Sequence, residues 1–168
     1  MKRFPILFIA LVLMAGCGDS DTAPADDNRP QFTASLLPSN EVPAITDSEA
    51  TGSGTAVIHF NLTRDAAGAI TAATADFTVE MSGFPATTTI TISHIHIGAA
   101  GVNGGIQVNT GINSDVPLNN GVGTFTRNGI SFGAATAQAI LNNPAGYYFN
   151  VHSSAHPGGV IRGQLTRS

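Results

Sequence analysis

Thr55-Ala56-Val57-Ile58-His59-Phe60-Asn61-Leu62 alternates apolar and polar side chains at a period of two. Successive residues of a β-strand point to opposite faces, so Ile58, Phe60 and Leu62 fall on one side and Val57, His59 and Asn61 on the other. A strand with one buried face follows, with His59 directed away from the core. Runs of similar composition, separated by Gly, Pro, Asn and Ser, recur along the chain. Strands are predicted at residues 31–37, 55–62, 70–80, 87–97, 106–108, 122–126, 147–152 and 160–166. The segment Thr71-Ala72-Ala73-Thr74-Ala75 would also suit a helix, but Phe77 and Val79 continue in step two, and Gly83 with Pro85 closes the run. The one helix predicted is Ala134 to Leu141, ended by Asn142-Asn143-Pro144 and too short to stand without packing. The expected architecture is all-β, a sandwich or barrel of about eight strands with one short helix.

The other end of the chain reads differently. Met1-Lys2-Arg3 is followed by the apolar run Phe4 to Met14 and the small residues Ala15 and Gly16, the order of a secretory signal. Roughly 20 apolar residues are needed to span a bilayer, and this run is shorter. Cys17 is the only cysteine of the 168 residues. Leu13-Met14-Ala15-Gly16-Cys17 resembles the lipobox of bacterial lipoproteins, with Met14 where Leu is commoner. That resemblance implies cleavage after Gly16 and acylation of Cys17. Two or three acyl chains anchor a protein stably where one binds only marginally. Gly18, in place of Asp, argues by the same resemblance against retention at an inner membrane, so an outer-membrane anchor is expected if the cell has two membranes. From Gly18 to Pro30 the chain is polar and acidic without an apolar period, a tether rather than a packed element. The expected organisation is a signal over residues 1–16, a lipidated cysteine and tether over 17–30, and one domain over 31–168.

Removal of the signal takes away Lys2 and Arg3 and leaves five basic residues against eleven acidic, a net charge of −6 with His neutral. The remaining arginines are scattered and form no basic stripe, which argues against nucleic-acid binding. With one cysteine no disulfide forms within the chain, so the fold rests on its core.

Four segments carry a signature: Leu37-Pro38-Ser39-Asn40-Glu41-Val42-Pro43, Thr51-Gly52-Ser53-Gly54-Thr55-Ala56, Ser93-His94-Ile95-His96-Ile97-Gly98, and Tyr147 to His152 running into His156-Pro157-Gly158-Gly159-Val160-Ile161-Arg162-Gly163-Gln164-Leu165. In this order they resemble the chordin-type (CHRD) domain, over residues 32–165. The resemblance implies a Greek-key, immunoglobulin-like β-sandwich used in extracellular proteins, and in chordin such domains accompany growth-factor-binding modules. Two positions depart from the family pattern. Ser93 stands where Ala is usual, and Val160 stands where an acidic residue usually precedes Ile-Arg-Gly. If that carboxylate normally pairs the arginine, Arg162 must be satisfied elsewhere, because a buried unpaired guanidinium is costly.

On a regular strand His94 and His96 share a face with Ile90 and Ile92, and His152 shares one with Tyr148 and Asn150. His156 follows four residues after His152, beside Pro157-Gly158-Gly159. Convergence of His94, His96, His152 and His156 would give neutral ring nitrogens of the kind that Zn²⁺ or Cu²⁺ favours. The His-x-His tripeptide is also similar to the copper-binding strand of Cu/Zn superoxide dismutase, without that family's further metal-binding loop or disulfide. The competing expectation is structural: imidazoles bonded to backbone carbonyls, holding the glycine-rich loop 98–105 and the Pro-Gly-Gly turn. Arg162 and Asn150 are expected to tie turns to strand edges or to touch a ligand. Neither a nucleophile elbow nor a P-loop pattern occurs. The expected function is a non-enzymatic binding module, anchored to a membrane by its lipid, with a protein, matrix component or glycan as partner. The alternative is a histidine-based envelope protein holding Zn or Cu.

Overall fold

The computed structural model describes residues 27–112 and 115–168. The expected signal, Cys17 and most of the tether lie outside the described residues. The strands are β1 (Gln31–Leu36), β2 (Ser53–Arg64), β3 (Ile70–Ser82), β4 (Thr89–Ile97), β5 (Ile106–Asn109), β6 (Val116–Pro117), β7 (Gly123–Phe132), β8 (Tyr147–Ser153), β9 (Ile161–Gln164) and β10 (Thr166–Arg167). Among the described residues a single α-helix, α1 (Ala134–Asn142), buries Ala137 and Ile140. The fold is an all-β sandwich. One antiparallel sheet has the order β10-β1-β2-β3-β7, and the other has β5-β4-β8-β9 with β6 added beside β4. Because β7 returns to the side of β3, and β8 to the side of β4, the chain crosses between sheets as a Greek key does rather than meandering within one.

The period-two reading of β2 holds: Ala56, Ile58 and Phe60 are fully buried while His59 is half-buried. Its core face meets Phe32 of β1, and Phe60 packs between Phe32 and Phe132 at centroid distances of 4.7 and 4.8 Å. Phe77 of β3 and Phe149 of β8 join the two sheets, with ring centroids 5.8 Å apart.

Three strand readings needed adjustment. The expected run 160–166 is two strands: β9 pairs with β8 in one sheet and β10 with β1 in the other. The chain changes sheets at Leu165, a buried residue whose N–H donates to the Tyr147 carbonyl. The run expected to stop at Thr126 continues to Phe132, because the Asp76 carboxylate accepts the Gly129 N–H where the β3 and β7 ladder shifts register. In β4 a register shift between Ile90 and Ile92 interrupts the alternation. A bulge of one residue reverses the facing of everything beyond it. Ile90 therefore belongs to the core together with Ile95, whereas Ile92 does not. His94 and His96 leave the face of Ile90, on which a regular strand would have put them.

This displacement positions the site. Along β8, Tyr147, Phe149 and Val151 belong to the core, yet Tyr148, Asn150 and His152 are buried as well. The second sheet is thus covered on both sides: by the opposite sheet within, and outside by the strap 37–45, the loop 98–105 and the turn 155–159.

Candidate metal centre

The outer face of the second sheet reads as a grid fixed by strand register. His94 lies opposite Asn150, which lies opposite Arg162, and one step along His96 lies opposite Tyr148, which lies opposite Gln164. His152 lies opposite Ile92. Neighbouring positions on one face of a sheet are close enough for side chains to meet, so strand pairing alone gathers His94, His96 and His152.

Their ring nitrogens meet as well. One nitrogen from each ring lies within 4.8 Å of the other two. Points so spaced have a common centre no more than about 2.8 Å from each, which is 4.8 Å divided by √3. A metal–imidazole bond is about 2.0–2.1 Å long, so small side-chain rotations close the set. His94 Nδ1 is 3.3 Å from His152 Nε2, about the separation of two nitrogens bound to one ion.

The second nitrogen of two rings is already used. His96 Nδ1–H donates to the Gly104 carbonyl at 2.9 Å, and His152 Nδ1–H donates to the Pro157 carbonyl at 2.9 Å. Each bond fixes the tautomer that leaves Nε2 with a lone pair. With His152 in that tautomer, His94 Nδ1–H donates to His152 Nε2 at 3.3 Å. His96 Nε2 is buried and has no hydrogen-bond partner among the described residues. In His96 and His152 the bond to a backbone carbonyl and the metal-binding geometry are therefore served by different nitrogens of the same ring, whereas His94 Nδ1 serves both the contact with His152 and the converging set.

Burial holds all three imidazoles neutral. It pushes His94 down to about 4, aided by repulsion from His152 and His96. His96 and His152 are also lowered, chiefly by burial, against the opposing effect of their bonds to Gly104 and Pro157. Neutral imidazole is the form that binds a metal.

His156 is elsewhere. Its Nε2 lies 2.9 Å from Asp47 Oδ2 and 3.6 Å from Glu49 Oε2, so the structure brings together three of the four histidines. Glu49 is buried and accepts from Thr88 Oγ1 and Ser153 Oγ, which ties the segment before β2 to the end of β8.

Arg162, with Val160 two residues before it in the chain, finds its partners on the strap and on the loop 98–105. Its Nε donates to the Asn40 carbonyl and its Nη1 to Asn103 Oδ1 at 2.8 Å. The Glu41 carboxylate, from the signature segment Leu37 to Pro43, lies 3.9 Å from Nε. Burial raises Glu41 to about 7, against the pull of Arg162. Gly159 brings its backbone, at φ +128°, against Asn150 and Glu41, where any Cβ would collide with both side chains. Asn150 therefore packs beneath the turn that carries the Pro157 carbonyl.

Tyr148, Glu41 and Asn103 take part although the sequence reading gave them no role. Tyr148 stacks on His96, with centroids 4.9 Å apart and planes inclined by 5°, and the Arg162 guanidinium lies 4.6 Å from the centroid of the Tyr148 ring. Its hydroxyl accepts the Gly104 N–H at 3.3 Å. A tyrosine two residues from Asn150 and four from His152 was the available signal.

These motif residues form one connected layer, and the sequence profile of the CHRD domain matches residues 32–165, spanning that layer and the core. The chain belongs to the CHRD family. No curated protein and no solved structure matches it. In this CHRD domain Leu37 to Pro43 is the strap, Thr51 to Ala56 opens β2, and the two histidine segments are the paired strands β4 and β8. Ser93, the other departure from the family pattern, is fully buried with its Oγ 2.7 Å from Thr110 Oγ1, so the added hydroxyl is satisfied. Family membership supports a binding module used outside the cytoplasm.

Proposed function

We propose that this CHRD protein is a lipid-tethered, non-enzymatic binding domain displayed outside the cytoplasm, and that its ligand at the outer face of the second sheet is a transition-metal ion. The observation that carries the reading is the convergence of His94, His96 and His152, with His96 Nε2 buried and unpartnered among the described residues. A buried acceptor without a partner costs roughly 1–3 kcal/mol, and an ion shared by three neutral nitrogens removes that cost. The carbonyls of Gly104 and Pro157 orient two of the rings, as groups behind metal ligands commonly do. The signal-like residues 1–16 and the lipobox-like stretch ending at Cys17 support export and anchoring.

A docking surface for a protein, matrix component or glycan is a second reading, favoured by Val42, Val102 and Ile106, which are exposed on or beside the covering loops. The two readings are compatible, because an ion that fixes loop 98–105 also fixes its surface.

Elemental analysis of the purified chain, without a polyhistidine tag, tests the first reading. One Zn or Cu per chain, lost in His94→Ala/His96→Ala, is the expected result; equal metal in both proteins rejects it. Fractionation tests the tether: the wild type should sediment with membranes and carry label from palmitate, and Cys17→Ser should do neither.

A further inference from the structure

We infer that the three-histidine site is built for copper(I) in preference to a divalent ion; the inference rests on the metal-binding reading above. The first argument is charge. All three donors are neutral, and no carboxylate or thiolate joins the group among the described residues. The Born cost of carrying an ion into a poorly polarisable site grows with the square of its charge, and neutral donors leave that charge uncompensated. A divalent ion therefore meets about four times the penalty of a monovalent one.

The second argument is the neighbouring cation. Arg162 stacks on Tyr148, and Tyr148 stacks on His96, so a guanidinium stands one aromatic ring away from the ligand set. Arg162 is 2 % exposed, which limits screening by water. Repulsion from it is twice as large for a 2+ ion as for a 1+ ion at the same place. Glu41 is the carboxylate nearest the guanidinium, at 3.9 Å, and it is not among the converging groups.

The third argument is coordination number. A closed zinc site takes four protein ligands, and an open three-histidine one keeps a water-filled fourth position. Here three protein ligands converge, His156 is engaged with Asp47 and Glu49, and His94, His96 and His152 are at most 8 % exposed. A d¹⁰ monovalent copper ion is satisfied by three imidazoles in a plane and needs no added water or anion.

The test uses the whole chain extracted in detergent. Under anaerobic conditions the protein is titrated in parallel with tetrakis(acetonitrile)copper(I), ZnSO₄ and CuSO₄. The expected result is one copper(I) per chain, retained against about a hundredfold excess of Zn²⁺, with X-ray absorption showing three nitrogen neighbours. His94→Ala/His96→Ala should lose it, and so should the milder His96→Gln with an unchanged circular dichroism spectrum. Cys17 is common to all three proteins and cancels in the comparison. Zn²⁺ or Cu²⁺ bound more tightly than copper(I) at these histidines would overturn the preference and leave the metal-binding reading standing. Failure of all three ions to bind, or copper(I) retained by a folded His96→Gln protein, would overturn both. If the variants do not fold, the wild-type order of affinities still decides.

Discussion

The rings of Tyr148 and His96 lie parallel, 4.9 Å apart, and the Tyr148 hydroxyl accepts a hydrogen bond from the same Gly104 whose carbonyl takes the His96 Nδ1–H. One tyrosine thus holds both the imidazole and the loop residue that sets its tautomer. Tyr148→Phe should cost about 1 kcal/mol of stability, the worth of one hydrogen bond. Tyr148→Leu should cost about 1 kcal/mol more through the lost stacking. Chemical denaturation checks both values. If metal binds, Tyr148→Leu should also weaken it by about tenfold or more, whereas a purely structural tyrosine would leave affinity unchanged in the folded fraction.

The metal-free domain should lose stability on acidification. His94 is held near 4, against 6.5 in an unfolded chain, and His96 and His152 are also lowered. Between these values the unfolded chain binds protons that the folded one does not. The stability that these imidazoles contribute is therefore complete above about pH 6.5 and is lost as pH falls toward 4. Glu41, raised from 4.5 to about 7, acts oppositely: the folded state takes its proton first, and its contribution declines as pH rises from 4.5 to 7. Three histidines outweigh one glutamate, so stability in the presence of a chelator should rise from pH 4.5 to 6.5, and Glu41→Gln should steepen the rise. A slope of the other sign would show that the imidazoles are not buried as described.

Gly163→Ala should destabilise the seam between the sheets. A Cβ at Gly163 would run into the Ser35 carbonyl of β1, where Leu37 and Arg162 form a bridge between strap and β9. Overpacking of this kind costs roughly 1–3 kcal/mol. A thermal melt shows it, with Gly158→Ala as the control, since a Cβ there meets open space.

Phe149→Ala should be the most damaging of these substitutions. Phe149 is fully buried between the sheets against Phe77, and removing such a ring costs about 3–5 kcal/mol. In a double-mutant cycle, Phe77→Leu with Phe149→Leu should show coupling of roughly 1 kcal/mol.

The alternation in β2, the division into strands and the short helix were legible in the sequence because each depends on residues close together in the chain. The same is true of the motif order that resembles the CHRD domain. Boundaries were less legible where a distant group decided them. Asp76 carries β7 past Thr126 through Gly129, and the change of sheets at Leu165 depends on which partner strand each half of that run meets.

The site divides in the same way. By itself the sequence determined which side chains are present: the histidines of β4 and β8, the arginine of β9 and the acidic Glu41 of the strap, all carried on a mostly β chain of low basic charge. Only the tertiary structure decided that His94, His96 and His152 meet while His156 turns to Asp47 and Glu49, and that Glu41 lies beside Arg162. The physical reason is that a one-residue bulge in β4 and the antiparallel register of β4, β8 and β9 set which faces converge. The bulge and the pairing of β4 with β8 join residues fifty or more positions apart, and no local pattern encodes them.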